Sequence, residues 1–397
     1  MITRSLSGAD AGRKLNAQAL DQALRTTRAR TLGLIDAWAL ADPALHAPCR
    51  PELNLPRWEL GHIGWFQEWW IDRNAQRARG PSCDPLHARK PSLMAEADAL
   101  YDSSAVAHAT RWQLALPTLE ATKTYLGAVL DRTLALLSQA EDSDDALYFW
   151  RLVLFHENMH NEAAVYMAQT LGIALPSALA SGSGEPSGLA AIRTPAQSEL
   201  EITIPAQTWL LGSAEGGFRF DNELVAHPVA LDAYRIDAAP VSWARYLDFA
   251  TATGYPLPNP VRRHLGQWQQ QRFGVWAPLD LEAPAVHVSL ADAQAWCRWA
   301  GRSLPTEAQW ECAAVTRNDL AWGEVWEWTA SVFEPFPGFV AHPYLDYSAP
   351  WFGSRQVLRG ACTATAATMV SPRYRNFFTP ERQDIFAGFR TVTTTPP

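Results

Sequence analysis

Three histidines carry the strongest chemical signal in the sequence. His156 and His160 are four residues apart in the string FHENMH, so one helix face would present both imidazoles about 6 Å apart. His62 lies in an earlier helical segment beside Gly61 and Gly64, and glycines let another backbone or a ligand approach closely. Three neutral imidazoles with open coordination positions suit iron(II), zinc or copper, and the ligand type alone leaves that choice open.

The same string also matches HExxH, the zinc-binding helix of metalloproteases in which the glutamate is the general base. Such proteases need a third ligand further along the chain. Positions 161–172 contain no further histidine, and Glu162 is too close in sequence to serve. A zinc hydrolase therefore stays as an alternative, and a triad of His62, His156 and His160 is the favoured interpretation.

Four helical segments must position these histidines. Apolar residues recur at spacings of three and four in each of them, which is typical of amphipathic helices. The segments cover 20–40, 57–76, 118–139 and 146–172. Together with a longer crossing segment at 77–117 they predict a four-helix bundle, a fold that commonly holds metal ions between facing helices.

The second half of the chain has a different pattern. Residues 176–200 are rich in Ala, Ser, Gly and Pro, which indicates a linker. Short apolar runs separated by turn residues follow, with clear helices only at 242–253 and 289–300. The sequence thus predicts a two-domain α+β protein: a helical bundle at 1–175, the linker, and a loop-rich domain with many buried tryptophans at 201–397.

Composition excludes several classes of function. The net charge is −8 and no long basic run is present, so neither nucleic acid nor an anionic membrane is an expected partner. The sequence lacks both an apolar signal core and an uncharged stretch of about 18 apolar residues, which argues against secretion and against a membrane span. Five scattered cysteines without a CxxC motif indicate reduced thiols, and the expected location is the cytoplasm.

Longer strings resemble a known family. GGFRFDNELVAHPVALDAYRID, WCRWAGRSLPTEAQWECAA and VLRGAC follow one another within 201–397 and resemble the formylglycine-generating-enzyme/sulfatase-modifying-factor domain, whose fold is C-type-lectin-like. That family's copper oxidases need two nearby cysteines beside VLRG, where this chain has only Cys362. Formylglycine-generating activity is therefore not expected.

The first half resembles a DinB-like bundle through PRWELGHIGWFQEWW and FHENMH. A DinB-like bundle followed by a sulfatase-modifying-factor-like domain is the order of the EgtB/OvoA-type non-haem iron sulfoxide synthases. These enzymes use O2 to join a sulfur donor to the imidazole C2 of hercynine, a histidine betaine. The resemblance implies Fe(II) on His62, His156 and His160, O2 as co-substrate, and small-molecule substrates.

The chain departs from its relatives where they bind substrate. Several relatives carry Asn-Trp-Asp where this chain has Asn376, Phe377 and Phe378. The resemblance implies that Asn376 and Phe377 hold the betaine, the ring by cation–π attraction, whereas Phe378 cannot pair with a donor ammonium. Met159 replaces a substrate-contacting Gln, and Arg111 is the one candidate for a donor-binding arginine.

These departures favour SenA-type selenoneine synthases, which accept a selenosugar donor. A sugar offers hydroxyls rather than two carboxylates and an ammonium, so the loss of charged contacts is chemically consistent. An ergothioneine sulfoxide synthase that uses cysteine or γ-glutamylcysteine is the alternative. A binding module whose bundle has lost its metal is a further one.

The catalytic acid is not assigned from the sequence. Many EgtB-type relatives place a tyrosine near the iron, in the loop that matches 333–347. In this chain Phe336 occupies the nearest-looking position, and Tyr344 and Tyr347 lie further along.

Overall fold

The N-terminal half is a bundle of four long helices, as predicted. The structure, a computed structural model, describes residues 10–182, 201–214 and 216–394. The helices of this half are α1 (Ala17–Ala41), α2 (Pro56–Trp70), the short α3 (Ala97–Tyr101), α4 (Leu119–Leu137) and α5 (Asp144–Leu171). Helix α2 packs against α4 and α5, and α1 packs along α5. The histidine-bearing helices α2 and α5 are therefore direct neighbours.

Local signals set the ends of these helices. Asn16, Thr118 and Ser143 each accept a backbone N–H from the first turn of α1, α4 and α5, which satisfies a donor that the helix itself cannot. Pro56 is the first residue of α2, where its missing N–H costs nothing. Gly172 ends α5 in the left-handed conformation at φ 71°.

The rest of the described chain is a mixture of short helices and small sheets. Its elements are α6 (Ser177–Ala180), β1 (Glu201–Ile204), β2 (Gln207–Leu211), β3 (His227–Leu231), β4 (Tyr234–Asp237), α7 (Trp243–Thr253), β5 (Val261–His264), β6 (Gln267–Arg272), β7 (Val275–Pro278), α8 (Leu290–Ala300), α9 (Glu307–Thr316), β8 (Trp326–Val332), β9 (Gln356–Gly360), β10 (Asn376–Phe378), β11 (Ala387–Gly388) and β12 (Val392–Thr394). The predicted α+β class is confirmed. Helix α6 lies inside the predicted linker, whose residues 183–200 are outside the described residues, so the domain bounds stay a prediction.

The strands form four small sheets in the described residues. Their orders are β1-β4-β12, β10-β9-β8-β11, β2-β3 and β5-β6-β7. All pairs are antiparallel except β11 with β8. Strand β10, which carries the predicted betaine-binding residues, is an edge of the four-stranded sheet and pairs only with β9 there.

Buried ion pairs anchor α9 to this sheet. Arg359 on β9 contacts Glu307 at 2.7 Å and Glu311 at 3.1 Å, and Arg375 contacts Glu307 at 2.8 Å. All four side chains are buried. Buried charges are tolerated when several hydrogen bonds join them, as they do among these four side chains. These pairs hold the segment that leads into β10.

The two halves share one apolar core. A single cluster of buried residues runs from the bundle into the four-stranded sheet and includes Trp326 and Trp328. Arg13 forms a buried ion pair with Glu223 at 2.5 and 2.6 Å, and the Gln169 amide donates to the Gln271 carbonyl at 2.9 Å. The segment before α1 and the C-terminal end of α5 are therefore each tied to the C-terminal region.

The structure also bears on the predictions about the cysteines and about membrane-spanning helices. All five cysteines are free thiols, in agreement with the predicted absence of a disulfide framework. Among the described helices, none combines the length and apolarity that crossing a lipid bilayer requires.

Candidate metal centre

The three predicted histidines converge. One ring nitrogen of each of His62, His156 and His160 lies within 4.8 Å of the other two, in the described part of the chain. The Nε2 atoms of His156 and His160 are 3.2 Å apart. Two nitrogens that bind one ion at about 2.1 Å and at a right angle would be about 3 Å apart. The spacing therefore fits two ligands of a single metal ion.

Helix α2 brings His62 to the pair on α5. The His62 ring centroid is 5.1 Å from those of both His156 and His160. Gly61 permits this arrangement, because a Cβ at that position would overlap the ring of Tyr101. The Tyr101 carbonyl in turn accepts a hydrogen bond from His62 Nδ1 at 2.8 Å. The close approach predicted from the glycines is thus made by Tyr101.

Hydrogen bonds at Nδ1 orient two of the imidazoles. Besides the His62 contact with Tyr101, the Glu59 carboxylate accepts from His160 Nδ1, and the Asn54 amide donates to the other Glu59 oxygen. A partner at Nδ1 fixes the tautomer and leaves Nε2 free as the ligand atom. Glu59 was not identified from the sequence. The available signal was its position on α2, less than one helical turn before His62.

Burial keeps two of the three imidazoles, those of His62 and His156, in the neutral form that binds a metal. Burial lowers the pKa of His62 to about 3 and holds the pKa of His156 well below its usual range, with the neighbouring histidines adding to both effects. Burial alone would raise the pKa of Glu59, but the adjacent His160 imidazole outweighs it and lowers that pKa to about 2. Three imidazole nitrogens with one supporting carboxylate fit a divalent first-row metal such as iron(II).

Aromatic rings surround His156. Phe66 stacks on the His156 ring with centroids 3.5 Å apart. Tyr344 lies 4.9 Å from Phe66 and 6.2 Å from His156, ring centroid to ring centroid. Phe336 instead packs over Arg375 at 3.9 Å, in a separate apolar cluster. Phe336, which the sequence matched to the tyrosine position of the relatives, therefore does not face the triad, and the loop brings Tyr344 there instead.

Met159 and Phe377 meet at Tyr347. The Met159 sulfur lies 3.9 Å from the Tyr347 hydroxyl and 3.5 Å from the Tyr374 hydroxyl. The half-buried Phe377 ring stacks on Phe333 at 4.1 Å and is 5.9 Å from the Tyr347 ring. Because Tyr347 is also 5.8 Å from Tyr344, a continuous row of rings joins β10 to the triad.

Asn376 and Phe378 share the opposite face of β10, since side chains alternate along a strand. The Asn376 side-chain oxygen accepts from the backbone N–H of Phe377 at 2.9 Å. The Arg382 guanidinium lies 4.9 Å over the Phe378 ring. Both side chains are half-buried, so each keeps surface that a ligand could contact.

Arg111 lies near the triad but is separated from His62 by the Trp58 ring. Its guanidinium lies 3.6 Å over the Trp58 ring, and Trp58 stacks on His62 with centroids 4.8 Å apart. No residue that the structure describes accepts a hydrogen bond from the Arg111 side chain, and its Nε is buried. Burial lowers the Arg111 pKa. The arginine therefore has unused donors one ring away from the metal site.

Comparisons with known proteins agree with this architecture. The sulfatase-modifying factor enzyme 1-like domain matches residues 190–323 and 318–395. Hercynine oxygenase from Mycolicibacterium smegmatis is 29% identical, over 94% of this chain and 98% of that protein. The hercynine oxygenase of Mycobacterium tuberculosis is 30% identical, over 92% of this chain and 96% of its own length. A formylglycine-generating enzyme from Streptomyces coelicolor is 26% identical, over 55% of this chain and 96% of that enzyme.

A helical bundle with a three-histidine cluster, joined to a sulfatase-modifying-factor-like domain, defines a class of oxygen-using enzymes. The chain belongs to the hercynine oxygenase family within it. The EgtB/OvoA-type family and the oxygen-using enzyme predicted from the sequence are confirmed, and the zinc hydrolase and the non-catalytic module are set aside. The SenA branch stays a prediction.

Proposed function

We propose that this protein joins a selenium or sulfur donor to the imidazole C2 of hercynine, using O2 and an Fe(II) ion held by His62, His156 and His160. The observation that carries the proposal is the convergence of these three imidazoles within 4.8 Å. When bound, iron supplies the oxygen chemistry that makes the otherwise unreactive C2 carbon available. The protein itself supplies positioning, a dry surrounding and proton control.

The betaine is proposed to bind between β10 and the triad. The partly open Phe377 ring can face a trimethylammonium group by cation–π attraction. Because β10 is an edge strand, a ligand at its free edge can also reach the Asn376 amide on the other face and hydrogen-bond it through the betaine's polar end. Met159 lies on α5 between His156 and His160 and offers an apolar surface beside the imidazole. The row of rings from Phe377 to Tyr344 supports this placement.

Tyr344 is proposed as the proton donor. Burial raises its pKa, so its phenol stays protonated at neutral pH and can deliver that proton. Its ring is 6.2 Å from His156, close to where the reacting groups would meet. Many EgtB-type enzymes have a tyrosine with this role in the loop that matches 333–347, the loop that contains Tyr344.

The donor is proposed to be a selenosugar. Phe378 places an apolar ring where relatives carry an Asp that holds the ammonium of an amino-acid donor. The unused N–H groups of Arg111 can donate to sugar hydroxyls as well as to carboxylates. Of the two residues, Phe378 is the one that distinguishes a selenosugar from an amino-acid donor, because it cannot pair with an ammonium.

A donor panel tests this proposal. Protein purified anaerobically and loaded with Fe(II) is supplied with hercynine, O2 and either a selenosugar, cysteine or γ-glutamylcysteine, and products are identified by mass spectrometry. We expect a C–Se product from the selenosugar at the highest kcat/KM. Product from the thiols alone would favour the ergothioneine alternative, and no product from any donor would refute the proposed function.

One substitution sharpens the donor test. Phe378→Asp restores a carboxylate at the discriminating position, and we expect it to raise kcat/KM for ammonium-bearing donors relative to the selenosugar. Ala128→Asp adds the same charge at an exposed position on α4, away from β10, and serves as the control. Equal donor preference in the two variants would remove Phe378 from the donor site.

A further inference from the structure

A cavity adjoins the candidate metal centre on the side of the bundle. It lies between α1, α2 and α5 and has a cavity volume of ≈ 40 Å³. Its walls are formed by Thr31, Leu34, Ile35, Trp38, Pro56, Glu59, Leu60, Ile63, His160, Asn161, Ala164 and Met167. His160 is thus shared between this cavity and the candidate metal site.

The cavity offers little to a polar ligand. Eight of its twelve side chains are apolar. The Thr31 hydroxyl donates to Glu157 at 2.6 Å, and Glu59 is occupied by His160 and Asn54. Cavities with apolar walls tend to stay dry and to take up small apolar molecules such as xenon. The chemistry of the walls therefore suits a small apolar ligand.

The cavity contacts the triad at His160, the most solvent-exposed of the three histidines. His62 and His156 are each 3% exposed, whereas the His160 side chain is 19% exposed. On α5 the wall residues His160, Ala164 and Met167 follow helical spacing along the face that meets α1 and α2. Glu162 points instead to the C-terminal region, where it accepts from Trp326. The cavity and the proposed substrate site thus approach the triad from different sides.

We propose that this cavity admits O2 to the metal centre beside His160. The inference rests on the proposed function, because it gives the cavity a ligand that the reaction consumes. Hercynine and its donor fill the seam between the two halves, and a separate apolar route lets O2 arrive while both are bound. O2 is small and apolar, and partitions into apolar cavities in preference to water.

Dissolved O2 itself is the probe for a first experiment on metal-free protein. O2 is paramagnetic and speeds the relaxation of methyl protons that it approaches. Under O2 pressure we expect the methyl groups of Ile35 and Ile63, which line the cavity, to relax faster than that of Ile71, which is fully buried in the same bundle. Equal relaxation of all three would overturn the proposal, and this measurement needs neither a variant nor activity.

A cavity-filling variant links the cavity to turnover. Ala164→Phe places a ring in the cavity from a half-buried helical position, and Ala128→Phe adds the same ring on the exposed face of α4 as the control. We expect Ala164→Phe to remove the excess relaxation at Ile35 and Ile63. In the iron-loaded enzyme it should raise KM for O2 several-fold while leaving KM for hercynine unchanged.

The outcomes separate the two proposals. Excess relaxation without turnover of any donor would contradict the proposed function and leave the cavity as an apolar gas site. Turnover with an unchanged KM for O2 in Ala164→Phe would overturn the O2 route and leave the proposed function standing.

Discussion

Trp326 donates its indole N–H to the Glu162 carboxylate at 2.6 Å, and this hydrogen bond joins the C-terminal region to α5 two residues after His160. The Thr365 hydroxyl donates to the other Glu162 oxygen, also at 2.6 Å. All three side chains are buried. The helix that carries two proposed ligands is therefore fixed to the other half of the molecule by a residue that faces away from them.

Removing this contact should destabilise the protein. Glu162→Ala leaves the Trp326 and Thr365 donors without an acceptor in a buried place, so we expect the free energy of unfolding to fall by about 1–3 kcal/mol. Denaturant unfolding followed by tryptophan fluorescence measures it. Glu162→Gln keeps one acceptor and should lose less. An unchanged unfolding midpoint in Glu162→Ala would show that the contact is energetically neutral.

His156→Ala should abolish stoichiometric iron binding, because two ligands remain of three and the pair on α5 is broken. Metal analysis after anaerobic loading with Fe(II) measures the content, and circular dichroism checks that the helices persist. His46→Ala removes an exposed imidazole, with its side chain 82% exposed, and should bind iron like the unmodified protein. Full iron content in His156→Ala would refute the triad.

Glu59→Ala should weaken metal binding without removing a ligand. The carboxylate orients His160 through Nδ1, and losing such a partner typically costs about 10–100-fold in metal affinity. Competition with a chelator of known affinity gives the dissociation constant. Glu120→Ala, an exposed position on α4, is the control for the lost charge. Identical dissociation constants in the two variants would mean that Glu59 has no part in orienting His160.

Tyr344→Phe should slow the reaction and leave substrate binding intact. Loss of a positioned proton donor typically costs about 10²-fold or more in rate, so kcat should fall while KM for hercynine stays the same. Tyr347→Phe removes the next phenol in the row of rings and should affect kcat less. If the two variants lose the same kcat, the assignment of Tyr344 is wrong.

Acid should destabilise the protein through His287, which lies away from the triad. Burial lowers its pKa to about 4, whereas the unfolded imidazole titrates near about 6.5. Between these values only the unfolded state binds the proton, so stability is fully present above about pH 6.5 and falls as the pH drops towards 4. The loss amounts to about 2–3 kcal/mol.

His287→Asn removes this titration and keeps a residue that tolerates the positive φ of 64° at this position. The measurement is the free energy of unfolding from pH 7 to pH 4, and the variant should show a shallower slope than the parent. A slope equal to that of the parent would exclude His287 as a source of acid sensitivity.

The hydrophobic periodicity of the sequence was enough to predict the bundle and the pairing of His156 with His160. Helix periodicity is a local property, so residues four apart necessarily share a face. The glycines beside His62 also signalled a close approach before its partner was known. Short apolar runs between turn residues also predicted the α+β class of the C-terminal half. Resemblance then selected the family, because its strings follow in order along 201–397.

Only the tertiary structure decided which distant groups complete the site. Tyr344 rather than Phe336 lies beside His156, because the path of a loop depends on how the two halves pack and not on its distance along the sequence. Tyr101 and Glu59 became the partners of His62 and His160 because α2 packs against α3 and α5 within the bundle. The O2-sized space between α1, α2 and α5 likewise exists only once three helices have packed, since a cavity is defined by the side chains that fail to fill it.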